Sequence, residues 1–144
     1  MFKTVIWATD GSEAAEAALP FAKELVEESG GTLVVTHSDG ADELNLEPRI
    51  QLQVHELREK GIDAVLKIVS GNQEDPAHAI ADVASVFDAD VIVVGTRGHG
   101  PVVGVVVGSV TQQLLHLAPC PVLAVPPATR WLEGWTRTRA SAPA

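Results

Sequence analysis

Residues 91–109 read VIVVGTRGHGPVVGVVVGS, and this stretch decides the fold. Val91 to Val94 is a short, uninterrupted apolar run, the mark of a strand buried on both faces. It runs straight into Gly95, and residues 95–108 hold five glycines and one proline, too many for a helix or a regular strand. Ser109 and Gln112 have the spacing of a capping box, which predicts a helix from Ser109 to about Leu117. Pro119-Cys120-Pro121 stops it, and Val122 to Val125 is a further strand. The pattern is therefore strand, glycine loop, helix, strand.

Working outward, the same alternation fills the rest of the chain. Thr4 to Ala8 is an apolar strand that ends at the turn Thr9-Asp10-Gly11-Ser12. Ala14, Ala15, Ala18, Leu19, Ala22, Leu25 and Val26 then recur at helical spacing, with a kink expected at Pro20 and an end at Gly30-Gly31. Thr32 to Thr36 is the second strand, and residues 38–47 are acidic and read as a loop. Pro48 fits a first helical position, with Ile50, Val54 and Leu57 marking one face up to Gly61. Ala64 to Val69 is the third strand. Asp75-Pro76 caps a third helix whose buried face is Ile80, Val83, Ala84 and Phe87. Strands alternating with helices predict a doubly wound, five-stranded parallel sheet with helices on both faces. This single domain spans residues 1–126. Residues 127–144, with Trp131, Leu132 and Trp135, differ in composition and are expected to be partly disordered.

The 144 residues carry a formal net charge of −9, and the basic residues form no stripe, so nucleic acid is not an expected partner. The longest apolar runs fall far short of the ~20 residues that span a bilayer. No secretory leader opens the chain, and its single cysteine, Cys120, allows no internal disulfide; both suit the cytoplasm.

In doubly wound sheets, ligands sit beyond the carboxyl ends of the strands, where strand order reverses. Two loops leave strands at that edge, Thr9 to Ser12 and Gly95 to Ser109. If strands one and four are neighbours, both face one cleft. A glycine at a strand end permits close backbone approach and positive φ, and Gly108-Ser109 opens a helix whose amides attract phosphate. The loop is neither a Walker phosphate loop nor a G-x-G-x-x-G dinucleotide turn.

The spacing G-x2-G-x9-G-S, from Gly95 through Gly98 and Gly108 to Ser109, resembles the ATP-binding signature of the universal stress protein family. The likeness extends over residues 2–126, through the T-D-G-S turn, the Pro-Ala start of the third helix and the A-P-C-P-V-L-A-V ending. It implies an adenine nucleotide alpha hydrolase-like fold and a homodimer paired through the last strand. It also implies that Ala8, Thr9, Asp10 and the backbone of Ser38 line the adenine and ribose. Gly95, Gly98 and His99 would wrap the ribose and α-phosphate, and Gly108, Ser109, Val110 and Thr111 would hold the outer phosphates. Magnesium or manganese would accompany the triphosphate, with Asp10 placed to assist it. Residues 100–107 differ from many relatives in lacking Lys and Arg.

Plainer roles stand beside these. Asp10 and Glu13 have the spacing of a cap and its partner, and the valines of residues 102–107 fit a strand or a dimer patch. No His pair has metal-ligand spacing, and Ser12 and Ser109 lack an identifiable His-Asp partner. The leading expectation is an ATP-binding regulatory protein whose occupancy is read by the dimer or a protein partner. A slow ATP hydrolase or phosphotransferase, and an interaction module with an empty pocket, are the rivals.

Overall fold

The structure, a computed structural model, describes residues 2–39, 46–70, 75–96 and 108–126. The expected tail beyond residue 126 lies outside them. Five strands and four helices alternate: β1 (Thr4–Thr9), α1 (Glu13–Ser29), β2 (Thr32–Asp39), α2 (Leu46–Glu59), β3 (Asp63–Ser70), α3 (Pro76–Val86), β4 (Val91–Gly95), α4 (Ser109–Leu117) and β5 (Val122–Val125). The strands form one parallel sheet in the order β3-β2-β1-β4-β5. Strand order reverses between β1 and β4, the neighbours that the two-loop cleft requires.

Alternate side chains of each strand enter two separate cores. Val5, Trp7, Leu33, Val35, Val91 and Val93 pack with Ala18, Ala22 and Val26 of α1 and Ile50, Val54 and Leu57 of α2. Ile6, Ala8, Val34, Ile92 and Val94 pack on the other side with Ala77, Ile80, Ala81 and Ala84 of α3 and Leu114 of α4. Burial on both faces explains why β1 and β4 read as unbroken apolar runs. At the opposite end of the sheet the Asp90 carboxylate accepts from the amides of Lys3 and Thr4, both at 2.9 Å, and ties the start of β1 to the start of β4.

Two local expectations need correction, at Pro48 and at the end of β2, whereas α1 runs on through Pro20 from Glu13 to Ser29. Pro20 lies on the exposed side, where water can serve the Glu16 carbonyl that loses its amide partner. Pro48 is the third residue of α2, still within the first turn, whose amides have no intrahelical acceptor in any case. β2 continues past Thr36 to Asp39, because β3 keeps pairing with it as far as Asp39↔Ser70.

Among the described residues the Thr36 hydroxyl is buried without a hydrogen-bond partner. Leaving such a group unpaired costs about 1–3 kcal/mol, and valine has nearly the same shape. Thr36→Val is therefore expected to raise unfolding stability by about 1 kcal/mol in urea denaturation. A loss of stability would show that the hydroxyl has a partner after all.

Candidate functional site

The site begins where β1 leaves the sheet. Thr9 Oγ1 accepts from the Gly11 amide at 3.0 Å, and Asp10 Oδ1 accepts from the Ser12 amide at 2.9 Å. Ser12 is the N-cap of α1, its Oγ accepting from Ala15 N at 3.2 Å. The Asp10–Glu13 capping pair suggested by spacing is thus displaced by two residues: Ser12 caps the helix, and Asp10 closes the turn before it. Gly11 has φ of +78°, and a Cβ there would meet Leu46 Cδ1 at 2.5 Å, so α2 packs directly on the turn. Trp7 Nε1 donates to the Ala15 carbonyl at 2.9 Å and fixes the first turn of α1 on β1.

β4 ends against the same turn. A Cβ on Gly95 would lie 2.6 Å from both the carbonyl carbon and oxygen of Ala14. Glycine is needed here because a helix backbone occupies the space, and not because of a positive φ. On its other side the Gly95 carbonyl accepts from Thr111 Oγ1 at 2.9 Å. Gly95 therefore joins the first turn of α1 to the first turn of α4, and two helix N-termini flank one strand end.

The start of α4 has an uncommon cap. Gly108 is the N-cap residue, with φ −60° and ψ 155°, and as a glycine it brings no side-chain cap of its own. The capping box expected from Ser109 and Gln112 is not formed, since Ser109 is already the first helical residue. Gly108 N donates to the Thr96 carbonyl at 2.6 Å, and the first intrahelical bond runs from Gln112 N to Gly108 O at 3.0 Å. Ser109, Val110 and Thr111 thus precede the first intrahelical donor, where amides and the helix dipole favour an anion. The one hydroxyl hydrogen of Thr111 points at Gly95, so only its amide can serve a phosphate. Ser109 is exposed and its hydroxyl is better placed to add a donor.

Of the other residues expected in the site, Ala8 and Thr9 are buried at the end of β1. Ser38 stands on β2 one residue beyond His37, the register partner of Thr9. Gly98 and His99 lie outside the described residues, as does Arg97. His37, which is not among the residues expected in the site, has its ring buried and Nδ1 3.1 Å from the Thr9 carbonyl. The available signal was its position as a polar residue at the end of a strand beside the T-D-G-S turn.

His55, His78 and His116 are exposed on helices; His55 pairs with Glu59 at 3.1 Å and His78 with Asp75 at 2.8 Å. Hydrogen bonds from the His78 amide and ring hold the Asp75 carboxyl below its ordinary range. Burial, reinforced by Asp90, pushes the Cys120 thiol up and away from the nucleophilic thiolate. Among the described residues no group of three or more His, Cys, Asp or Glu is placed to hold a metal ion. None of the described helices is long and apolar enough to cross a membrane.

Comparison with known proteins matches this geometry to one family. Residues 1–126 fit the universal stress protein family model. A universal stress protein of Thermus aquaticus is 36% identical over 137 residues, covering 87% of this chain and 99% of the relative. UspA from Lactobacillus plantarum shares the fold at a TM-score of 0.72, with 20% identity over 86% of this chain and 97% of that one. A universal stress protein from Archaeoglobus fulgidus, solved in complex with dAMP, superposes at 0.67 with 27% identity, covering 87% and 98% of the two chains. The chain belongs to the universal stress protein family.

Proposed function

We propose that this protein binds an adenine nucleotide, ATP in the first place, at the carboxyl edge of β1 and β4, and acts as a regulatory protein in the cytoplasm. One observation carries the reading: the start of α4, capped by a glycine that has no side chain, is coupled through Gly95 to the turn that bears Asp10. The relative that holds dAMP supports the adenine part. In this reading the binding unit is residues 1–126. Ala8, Thr9, Asp10 and the Ser38 backbone face adenine and ribose, and Gly95, Gly98 and His99 lie around the ribose and α-phosphate. Gly108 and the amides of Ser109, Val110 and Thr111 receive the outer phosphates. The occupied state is read by the dimer or a protein partner.

A divalent ion arriving with the triphosphate fits the donor set, since magnesium commonly takes one or two carboxylates plus phosphate oxygens. Asp10 supplies such a carboxylate, and its Oδ1 is already oriented by the Ser12 amide. Bound magnesium or manganese would offset the repulsion between Asp10 and phosphate. Omitting magnesium is therefore expected to weaken ATP binding more in wild type than in Asp10→Ala. Equal magnesium dependence in calorimetry would remove Asp10 from the metal's surroundings.

Calorimetry with ATP, dAMP and adenosine, together with mass spectrometry of ligand released from purified protein and a turnover assay, tests the whole reading. Binding without turnover supports a regulatory role. Steady phosphate release would make the protein a hydrolase, and no binding by any of the three would leave an interaction module. Dimerisation belongs to the same reading. β5 is a short edge strand with Leu123 38% exposed, and pairing with a second copy would cover it. Light scattering at micromolar concentration is expected to report a dimer; a monomer with and without ATP counts against it.

A further inference from the structure

Among the described residues, His37 is the one ionisable side chain that is fully buried, at 2% exposure. Nothing in the nucleotide reading above employs it. Its ring stands at the last register pair of β1 and β2, Thr9↔His37, and Nδ1 lies 3.1 Å from the Thr9 carbonyl oxygen. A carbonyl only accepts, so Nδ1 must carry the hydrogen, and the neutral ring is the Nδ1–H tautomer. The ladder between β1 and β4 covers Val5 to Trp7 and stops there. Thr9 therefore has a strand neighbour on the β2 side alone.

That carbonyl belongs to the peptide plane linking Thr9 to Asp10. A peptide is rigid, so fixing its oxygen also fixes the direction of the Asp10 amide and the point from which the Asp10 side chain departs. Rotating this plane would disturb the next two closures, Gly11 N to Thr9 Oγ1 and Ser12 N to Asp10 Oδ1. We propose that His37 is a positioning residue for the nucleotide: by holding the Thr9 carbonyl it sets the orientation of Asp10 at the mouth of the site. The inference rests on the reading of this turn as the adenosine side of that site.

Three substitutions separate positioning from packing. His37→Asn places its side-chain nitrogen as many bonds from Cα as Nδ1, so it can donate to Thr9. His37→Gln places the nitrogen one bond too far, and His37→Leu removes the donor. Amide hydrogen exchange at Gly11 and Ser12 in nucleotide-free protein reports the turn without any ligand. Both amides are expected to exchange about tenfold faster in the Leu and Gln variants, and ATP affinity to fall about tenfold, with Asn within about threefold of wild type in both. A long-range ¹H–¹⁵N spectrum of wild type should show hydrogen on Nδ1 at neutral pH. Should the Leu variant fail to fold, the Asn and Gln pair decides alone. Unchanged exchange in Gln, or equal losses in Asn and Gln, overturns the proposal. So does altered exchange with unchanged ATP affinity. A wild type that binds no adenine nucleotide overturns the nucleotide reading and the ligand half of this inference, while the exchange data still show whether His37 holds the turn.

Discussion

Ser109→Pro is expected to weaken ATP binding by at least about a hundredfold while leaving the fold intact, the amide and the hydroxyl each counting as a hydrogen bond to a charged acceptor at ~1.5–3 kcal/mol. The substitution deletes one amide and one hydroxyl at the same place. Proline is well tolerated at the first helical position, because its φ suits the helix and the lost N–H has no intrahelical acceptor. Gly108 already has ψ of 155°, the extended conformation that a residue before proline prefers. Ser109→Ala removes only the hydroxyl and should lose about ten- to a hundredfold. Adenosine should bind both variants nearly as well as wild type, since it carries no phosphate. Calorimetry with ATP and adenosine, after circular dichroism has confirmed folding, measures the contrast. Wild-type ATP affinity in a folded Ser109→Pro protein would place the phosphates elsewhere.

The second large effect concerns Gly95. Gly95→Ala would set a methyl carbon 2.6 Å from the Ala14 carbonyl, and both partners are backbone, so no side chain can swing away. Overpacking of this kind typically costs about 1–3 kcal/mol, and the rigidity of both partners puts this case near 3 kcal/mol. For a domain of this size that corresponds to a melting temperature lower by roughly 10 °C. The displaced α1 would also move its cap and the Asp10 turn, so ATP affinity should fall together with stability. Thr111→Val offers a control, removing the bond to the Gly95 carbonyl without adding bulk at Ala14. If Gly95→Ala melts like wild type, α1 can shift freely, and the coupling of the two loops through Gly95 is not rigid.

The fold was largely legible because its determinants are local and repetitive. Four-residue apolar runs such as Val91 to Val94 and the periodic alanines of α1 have few alternative readings, and alternation restricts the topology. Placement of the β1–α1 turn beside α4 followed from one inference, that β1 and β4 are neighbours, which the register Val5↔Val91 bears out. Other features needed contacts across the chain. Spacing could not tell whether Asp10 or Ser12 caps α1, since both offer an oxygen before a helix; the first amide within reach decides for Ser12. Nor could it show that Gly95 is small because of Ala14, or that the Thr111 hydroxyl is turned toward Gly95. Nor could a lone histidine in a strand, His37, be given a role until its partner carbonyl is known.

The central position of β1 also governs when the chain can complete its sheet during synthesis. Val5 must wait for Val91, 86 residues later, before its second neighbour exists. At ~5–20 residues per second, the ribosome leaves that flank of β1 unpaired for roughly 4–17 s. Through this interval Val5, Ile6 and Trp7, all fully buried in the finished protein, lack the strand that seals one side of them. The β3-β2-β1 half can form early, but its growing edge carries the apolar run Val5 to Ala8. A nascent chain arrested before residue 91 is therefore expected to associate or to recruit a chaperone, and one extended through β5 to fold and release it.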